Sequence, residues 1–276
     1  MTAFAETLEG KVWQANVSVH AKEASIYDDI HEEIFNFIEQ RRLRKALARA
    51  SSLATCKNRL ALDFGCGTGN LTSKLLDLGW KVVAADISDS MLTILRQKLP
   101  EACSSRRLQI VKIASKELEF PDEHFGMVAA YSVLHHLFDY MHTIKEMCRV
   151  LDKGGVLYLD NEASDRSWDI ESKVAYSIVN CIYQSMNRVN YFLGQTYLKY
   201  RHEQVPHIDY TWSDYRIREA TKIDWKLIRG HLTKRGFRFY EENHLLHRTL
   251  VLNPFYPLMS VIGAHDIRTL VAVKTK

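Results

Sequence analysis

The chain has 276 residues, 46% hydrophobic and 25% charged, with a formal net charge of +4, enough to bury a core as one large domain or two modest ones. So small a charge permits an anionic ligand but does not call for nucleic acid, which needs clustered positive charge. The five cysteines (Cys56, Cys66, Cys103, Cys148 and Cys181) are dispersed and form no Cys-x-x-Cys pair, which argues against a disulfide framework or a structural zinc site.

At the N-terminus Glu6 and Glu9 come early and no basic stretch precedes an apolar one, so no secretory signal is expected. No apolar run reaches the ~18 residues of a membrane span; with the scattered cysteines, the expectation is a cytoplasmic protein. Residues 1–55 are predicted to form a helical cap. Ile30, Ile34, Phe37 and Ile38 recur at helical spacing, and Leu43 and Leu47 continue it. Arg41, Arg42, Arg44, Lys45 and Arg49 lie along this helix and read as a solvated face, with an anion-binding patch as the alternative.

Residues 56–160 alternate between short apolar runs and helical patterns. Strands are predicted at Leu60–Phe64, Lys81–Asp86, Leu108–Ile113, Met127–Tyr131 and Val156–Asp160. Helices are predicted at Leu71–Leu78, Met91–Leu99 and Tyr140–Leu151, the last closed by Gly154-Gly155. This rhythm implies an α/β fold with a parallel sheet covered on both faces. Residues 161–221 break it and read as a helical lid insertion, with Val174, Ile178, Cys181, Ile182, Val189 and Phe192 at helical spacing. Residues 222–276 close the single domain with a helix at Trp225–Arg235, stopped by Gly236, and strands at Phe237–His247 and Ile267–Lys274. An apolar loop containing Pro254 and Pro257 joins those strands.

The chemistry begins where the first strand ends, in Asp63-Phe64-Gly65-Cys66-Gly67-Thr68-Gly69-Asn70. Glycines let the chain turn tightly and let a ligand approach backbone with no Cβ in the way. In a dinucleotide-binding loop the third glycine lies three residues after the second. That frame places Asn70 there and Gly69 one residue early, which disfavours a nicotinamide-dependent oxidoreductase and suits a cofactor without a pyrophosphate. Asp86 ends the second strand 21 positions beyond Gly65, where an acid can accept from both hydroxyls of a ribose. A glycine turn plus a helix cap is the alternative.

The loop, with Val82-Val83-Ala84-Ala85-Asp86-Ile87-Ser88 and Ser90-Met91-Leu92, resembles the class I S-adenosylmethionine-dependent methyltransferases. The nearest subgroup includes the ubiquinone/menaquinone-biosynthesis C-methyltransferases and many small-molecule methyltransferases. Phe120-Pro121-Asp122-Glu123-His124-Phe125, Val133-Leu134-His135-His136-Leu137 and Arg149-Val150-Leu151-Asp152-Lys153-Gly154-Gly155 carry the resemblance on to about residue 160. It implies a Rossmann-like class I sheet, mostly parallel with a final antiparallel strand, and S-adenosyl-L-methionine as cofactor, with S-adenosyl-L-homocysteine as product. By resemblance Asp63 and Gly65 hold the methionine end, beside Cys66, and Gly67 and Gly69 give close backbone approach. Asp86 binds the ribose, Ile87 and Met91 pack on the adenine, Ala114-Ser115 meet its edge, and Ser132 lies beside the methionine. Tyr27, in a segment resembling the family's mobile preface, is expected to reach the cofactor. Two positions depart from the family: Ala114 and Gly126 stand where it often has Asp.

For catalysis the candidates are His136 and His135, which follow the fourth strand at the ligand-binding edge of such sheets. Adjacent residues point differently, so His136 is favoured as base or orienting group; in the alternative both bond backbone and pack the sheet edge. Tyr183, Tyr191, Tyr197, Tyr200, Tyr210 and Trp212 would furnish the lid with aromatic contacts. His202, Glu203 and His207 lack a helical metal-binding order and are interrupted by Pro206, so no metal is expected. The leading reading is methyl transfer to the oxygen or carbon of a small aromatic, polyketide, sugar or lipid-like acceptor. The alternatives are a non-catalytic cofactor-binding partner protein and an RNA methyltransferase, which is disfavoured because this chain has Tyr131-Ser132-Val133-Leu134 after the fourth strand and not the Asn-Pro-Pro-aromatic element used on exocyclic base amines.

Overall fold

The computed structural model describes residues 6–165, 212–214, 222–244 and 267–275, together with the single helical positions 174, 177 and 181. Its preface comprises α1 (Leu8–Glu23), two short helical turns, α2 (Tyr27–Ile30) and α3 (Glu32–Phe35), and α4 (Phe37–Ser52). The core alternates as β1 (Leu60–Phe64), α5 (Asn70–Asp77), β2 (Lys81–Asp86), α6 (Asp89–Lys98), α7 (Pro100–Ser104), β3 (Leu108–Lys112) and β4 (Phe125–Tyr131). It continues as α8 (Tyr140–Val150), β5 (Leu151–Ala163), α9 (Trp225–Lys234), β6 (Phe237–His244) and β7 (Ile267–Lys274).

The strands form one sheet in the order β3-β2-β1-β4-β5-β7-β6. Pairing is parallel from β3 through β5, and β7 runs antiparallel to both β5 and β6. Along each central strand alternate residues enter opposite cores, as the two-residue period requires. Leu62, Val83, Val128 and Leu157 face a core closed by α8 and α9, whereas Ala61, Val82, Met127 and Tyr158 face one closed by α4, α5 and α6. Both faces are dry, which is why these strands read as continuous apolar runs.

The structure corrects several sequence expectations. The helical periodicity from Ile30 to Leu47 is not one helix. Asn36 sits in extended conformation as the N-cap of α4, its side-chain oxygen accepting from the Ile38 and Glu39 amides at 3.1 and 3.0 Å. Its amide donates back to the Glu32 and Glu33 carbonyls, so a single side chain satisfies two helix ends. The break leaves Phe37 exposed, while Ile34, Leu43 and Leu47 stay buried. Arg42 departs from the solvated face expected of its cluster, since it pairs with Glu39 at 2.6 Å and Asp160 at 2.9 Å. Arg41, Arg44, Lys45 and Arg49 are exposed.

Gly154-Gly155 do not close a helix, because α8 passes directly into β5 and the glycines lie inside that strand. A Cβ on Gly154 would come within 2.5 Å of Thr55 Oγ1, and the Gly154 carbonyl accepts from the Thr55 amide at 2.8 Å. β5 also runs past Asp160 to Ala163, through a register irregularity at Asn161, whose φ is +57°. The expected lid thus begins after residue 163. Most of it, including Tyr183, Tyr191, Tyr197, Tyr200, His202, Glu203, His207 and Tyr210, lies outside the described residues, as does the loop with Pro254 and Pro257.

Candidate cofactor and acceptor site

The glycine loop joins β1 to α5 at the carboxyl edge of the sheet, with Gly65, Gly67 and Gly69 at φ of +69°, +51° and +95°. Each is left-handed, but the reasons differ. A Cβ on Gly65 would meet Val133 Cγ2 at 2.5 Å, and one on Gly69, the left-handed cap of α5, would meet Leu95 Cδ1 at 2.3 Å. Above Gly67 there is open space within 4 Å. The loop is pinned to β2 by the Gly65 and Cys66 amides, which donate to the Ala85 carbonyl at 2.7 and 3.1 Å.

Asp86 completes this floor. Its carboxylate accepts from the Gly67 amide at 2.9 Å and the Ser88 amide at 2.8 Å, and burial raises its pKa above the ordinary value. Asp63, buried under the loop, accepts from Thr72 Oγ1 at 2.5 Å. Burial pushes its pKa up to about 7 against that hydrogen bond, with Asp86 adding to the rise. At the start of α5 the Asn70 side-chain oxygen accepts from Gln40 Nε2 at 2.9 Å and Lys74 Nζ at 2.8 Å.

A cavity of about 1290 Å³, counted with its open mouth, stands over this floor. Asp63, Gly65, Cys66 and Gly67 line its base, and Asp86, Ile87, Met91 and Ser115 its side. Tyr27, Ser132 and His136 line it from the preface and from the turn after β4. Three expected site residues do not line it. Gly69 packs against Leu95, Ala114 is exposed, and the His135 ring is bound to Glu162. The Ser115 hydroxyl donates to the Glu117 carbonyl at 3.0 Å. Gly126, the other departure, is required by packing: a Cβ there would lie 2.0 Å from the Asn58 carbonyl oxygen.

Sequence reasoning placed Tyr27, Ser132 and His136 at the cavity but missed the stripe of α1 that roofs it. One stripe of α1 (Glu9, Val12, Trp13, Asn16 and His20) faces the cavity. Its spacing was a usable signal, but the stripe mixes acid, apolar and polar types and so lacks an apolar period. Asn16 is buried and its amide donates to the Val12 carbonyl at 2.9 Å and to the His136 carbonyl at 3.0 Å. Asp28 ties the preface to the floor, accepting from Thr68 Oγ1 at 2.6 Å and pairing with Lys98. Tyr27 lies 4.3 Å from the His31 ring; burial, then Glu23 and Glu33, hold its phenol well above the usual range. Burial works against a protonated His31, yet Glu23 and Glu33 outweigh it and push its pKa up to about 9.

The turn after β4 carries Ser132 at φ +60° and a 3-10 segment, Leu134–His136. The Glu162 carboxylate accepts from the Val133 and Leu134 amides, both at 2.6 Å, and from the His135 amide at 3.3 Å. It also holds His135 Nδ1 at 2.9 Å. His136 Nδ1 lies 2.7 Å from the Ser213 carbonyl oxygen, an acceptor only, so this nitrogen carries the proton. Burial, then His135 and His20, hold the His136 pKa well below the ordinary imidazole value. The His20 ring meets His136 edge-on at 5.1 Å. His135, His136 and Asp214 bring one possible ligand atom each within 4.8 Å of one another; both Nδ1 atoms are already engaged by Glu162 and Ser213.

Residues 62–159 match the family model described as a methyltransferase domain. Over 137 residues the chain is 34% identical to the ubiquinone/menaquinone biosynthesis C-methyltransferase of Proteus mirabilis, covering 49% of this chain and 53% of that protein. It is 32% identical over 130 residues to the demethylmenaquinone methyltransferase of Bacillus cereus, covering 46% and 54%. The chain thus spans about half the length of the curated relatives it matches. Among solved structures it is similar to magnesium protoporphyrin IX methyltransferase from Synechocystis PCC 6803 with bound SAH (TM-score 0.52, 19% identity, 94% of this chain and 99% of that one). It is also similar to a chain of the complex between the Haloferax volcanii Trm112 methyltransferase activator and a methyltransferase (TM-score 0.59, 15% identity, 93% and 98%). The fold of these neighbours is the one described above, a mostly parallel Rossmann-like sheet with an antiparallel strand near one edge. Among the described residues no helix is long and apolar enough to cross a membrane.

Proposed function

We propose that this chain, with its methyltransferase domain at residues 62–159, binds S-adenosylmethionine on the glycine-loop floor and methylates a small-molecule acceptor in the space beneath α1. The observation that carries this reading is the pairing of Gly67 and Asp86. Gly67 leaves open space above a left-handed backbone, and its amide donates to the carboxylate of Asp86, which lines the same cavity. A nucleoside with two ribose hydroxyls and no pyrophosphate fits that arrangement. A dinucleotide fits worse, because the Asn70 side chain, held by Gln40 and Lys74, occupies the start of α5 where a pyrophosphate would sit.

The cofactor, when bound, supplies a methyl group on a positively charged sulfur, and the protein aligns a nucleophile with it and excludes water. In our reading Asp86 holds the ribose, Asp63 faces the amino-acid end, and Tyr27 closes the preface over the site. His136, neutral and with its proton on Nδ1, accepts the acceptor's proton at Nε2. Such a base typically contributes ~10²–10⁴-fold. A hydroxyl-bearing ring, as in a quinol, is the acceptor class favoured by the relatives' activities and by an unprotonated imidazole in a largely apolar cavity; methylation at oxygen or at carbon would both begin with that proton's removal. A thermal-denaturation series with S-adenosylhomocysteine tests the premise: ligand that binds only the folded chain stabilises it by ~2.7 kcal/mol at 100 times its dissociation constant. No shift at millimolar ligand would end the methyltransferase reading.

A further inference from the structure

Glu162 stands outside every expectation drawn from the sequence, yet four hydrogen bonds converge on its buried carboxylate. It follows left-handed Asn161 on the extension of β5, beside the point where Ser132 N donates to the Asp160 carbonyl at 2.9 Å. We propose that Glu162 is a positioning residue of the acceptor site: through the 133–135 backbone and the His135 ring it fixes His136 with its proton on Nδ1 and its Nε2 offered to the cavity. The proposal rests on the reading of His136 as acceptor base.

The geometry has two parts. First, the carboxylate caps the 3-10 turn through three backbone amides, which sets the position of the His136 backbone from one side while Asn16 grips its carbonyl from the other. Second, the same carboxylate takes His135 Nδ1 at 2.9 Å, and the His135 ring centre lies 4.0 Å from that of His136. A backbone cap needs only the first part. The second places the Glu162 carboxylate and the His135 ring it holds beside the candidate base.

Burial disfavours a charged His135, but Glu162 outweighs it and raises its pKa above the ordinary 6.5. A positive His135 in turn opposes proton uptake by His136. The other groups facing His136 are His20 and, behind it, His31 and Glu23 from the preface, with Asp214, whose Oδ1 lies 3.5 Å from His136 Nδ1. Among the described residues Nε2 of His136 makes no hydrogen bond, so it is the nitrogen left for an acceptor.

Long-range ¹H–¹⁵N NMR on histidine-labelled protein saturated with S-adenosylhomocysteine reads the tautomer and charge of each imidazole without needing the acceptor. In the wild type His136 should be neutral and Nδ1-protonated across pH 6–8, with His135 charged to higher pH. Glu162→Gln keeps an oxygen for the backbone amides but removes the charge; His135 should then titrate lower and His136 rise toward the ordinary value of about 6.5. His135→Asn leaves the cap intact, moves His136 the same way, and carries the test if Glu162→Gln does not fold. Calorimetric affinity for S-adenosylhomocysteine should be unchanged in both. A His136 titration unmoved in either folded variant, or an Nε2-protonated wild type, would overturn the role of Glu162. Undiminished methyl transfer by His136→Ala would instead overturn the base reading beneath it.

Discussion

The floor of the cavity is one stretch of chain, from Asp63 to Met91, folded as strand, loop, helix, strand and helix start. The roof is assembled from α1, the turn at 132–136, the end of β5 and the 213–214 turn, four segments separated along the chain. The floor makes its contacts largely through backbone amides and glycine conformations; the roof makes them through side chains such as Asn16, His20, Asp28 and Glu162. Backbone-built sites depend on a few residue types at fixed spacing, whereas side-chain sites depend on which distant elements pack together. Under the proposed function cofactor recognition belongs to the floor and acceptor chemistry to the roof, and substitutions should separate the two.

The largest effect should come from the joint that fastens α4 of the preface to the sheet. Arg42 on α4 lies between Glu39 and Asp160, which are 1% and 0% exposed, and Tyr131 and Thr269 complete the network at 2.9 and 2.6 Å. Arg42→Ala leaves two carboxylates uncompensated, so urea unfolding should show a loss on the order of 3–5 kcal/mol. A loss below about 1 kcal/mol would mean the pair behaves as a surface contact and the preface is fastened elsewhere. Next, His136→Ala should lower methyl transfer to a hydroxylated acceptor ~10²-fold or more while S-adenosylhomocysteine still binds. Loss of binding in step with turnover would erase the division between floor and roof.

A smaller effect belongs to the floor. Asp63 titrates at about 7 in the free protein because burial favours its neutral form, and it is expected to face the cofactor's amino-acid end. Binding to the ionised form must then expel a proton below that pH, so affinity should fall about tenfold per pH unit as pH drops beneath 7 and level off above it. The sign follows from a raised carboxyl pKa. Constant affinity for S-adenosylhomocysteine from pH 5.5 to 8 would detach Asp63 from the ligand.

The same contrast explains what could be read in advance. Lys81–Asp86 and Ile267–Lys274 were legible to the residue because continuous apolar runs mark strands buried on both faces. Gly65, Gly67 and Asp86 were legible as a group because their spacing sets the glycine loop after β1 and the acid at the end of the adjoining strand β2. The three roles of the glycines were not, since only packing against Val133 and Leu95 distinguishes Gly65 and Gly69 from Gly67. The helix break at Asn36 was hidden because an asparagine between Phe35 and Phe37 does not disturb the periodicity of the apolar residues around it. Glu162 was invisible for a stronger reason: in sequence it follows an acid and an amide at the end of a strand, and nothing local shows that its partner is a turn 27 residues earlier.

The central claim, that Asp86 and the glycine loop form a nucleoside-binding floor, is tested most directly by calorimetric titration of the wild type and Asp86→Ala with S-adenosylhomocysteine, each checked for native fold by circular dichroism. The account predicts one saturable site in the wild type and affinity weaker by roughly 1–3 kcal/mol in the variant, because two hydroxyls lose a charged acceptor, with Asp86→Asn between them. Equal affinity in wild type and Asp86→Ala, both folded, would contradict it.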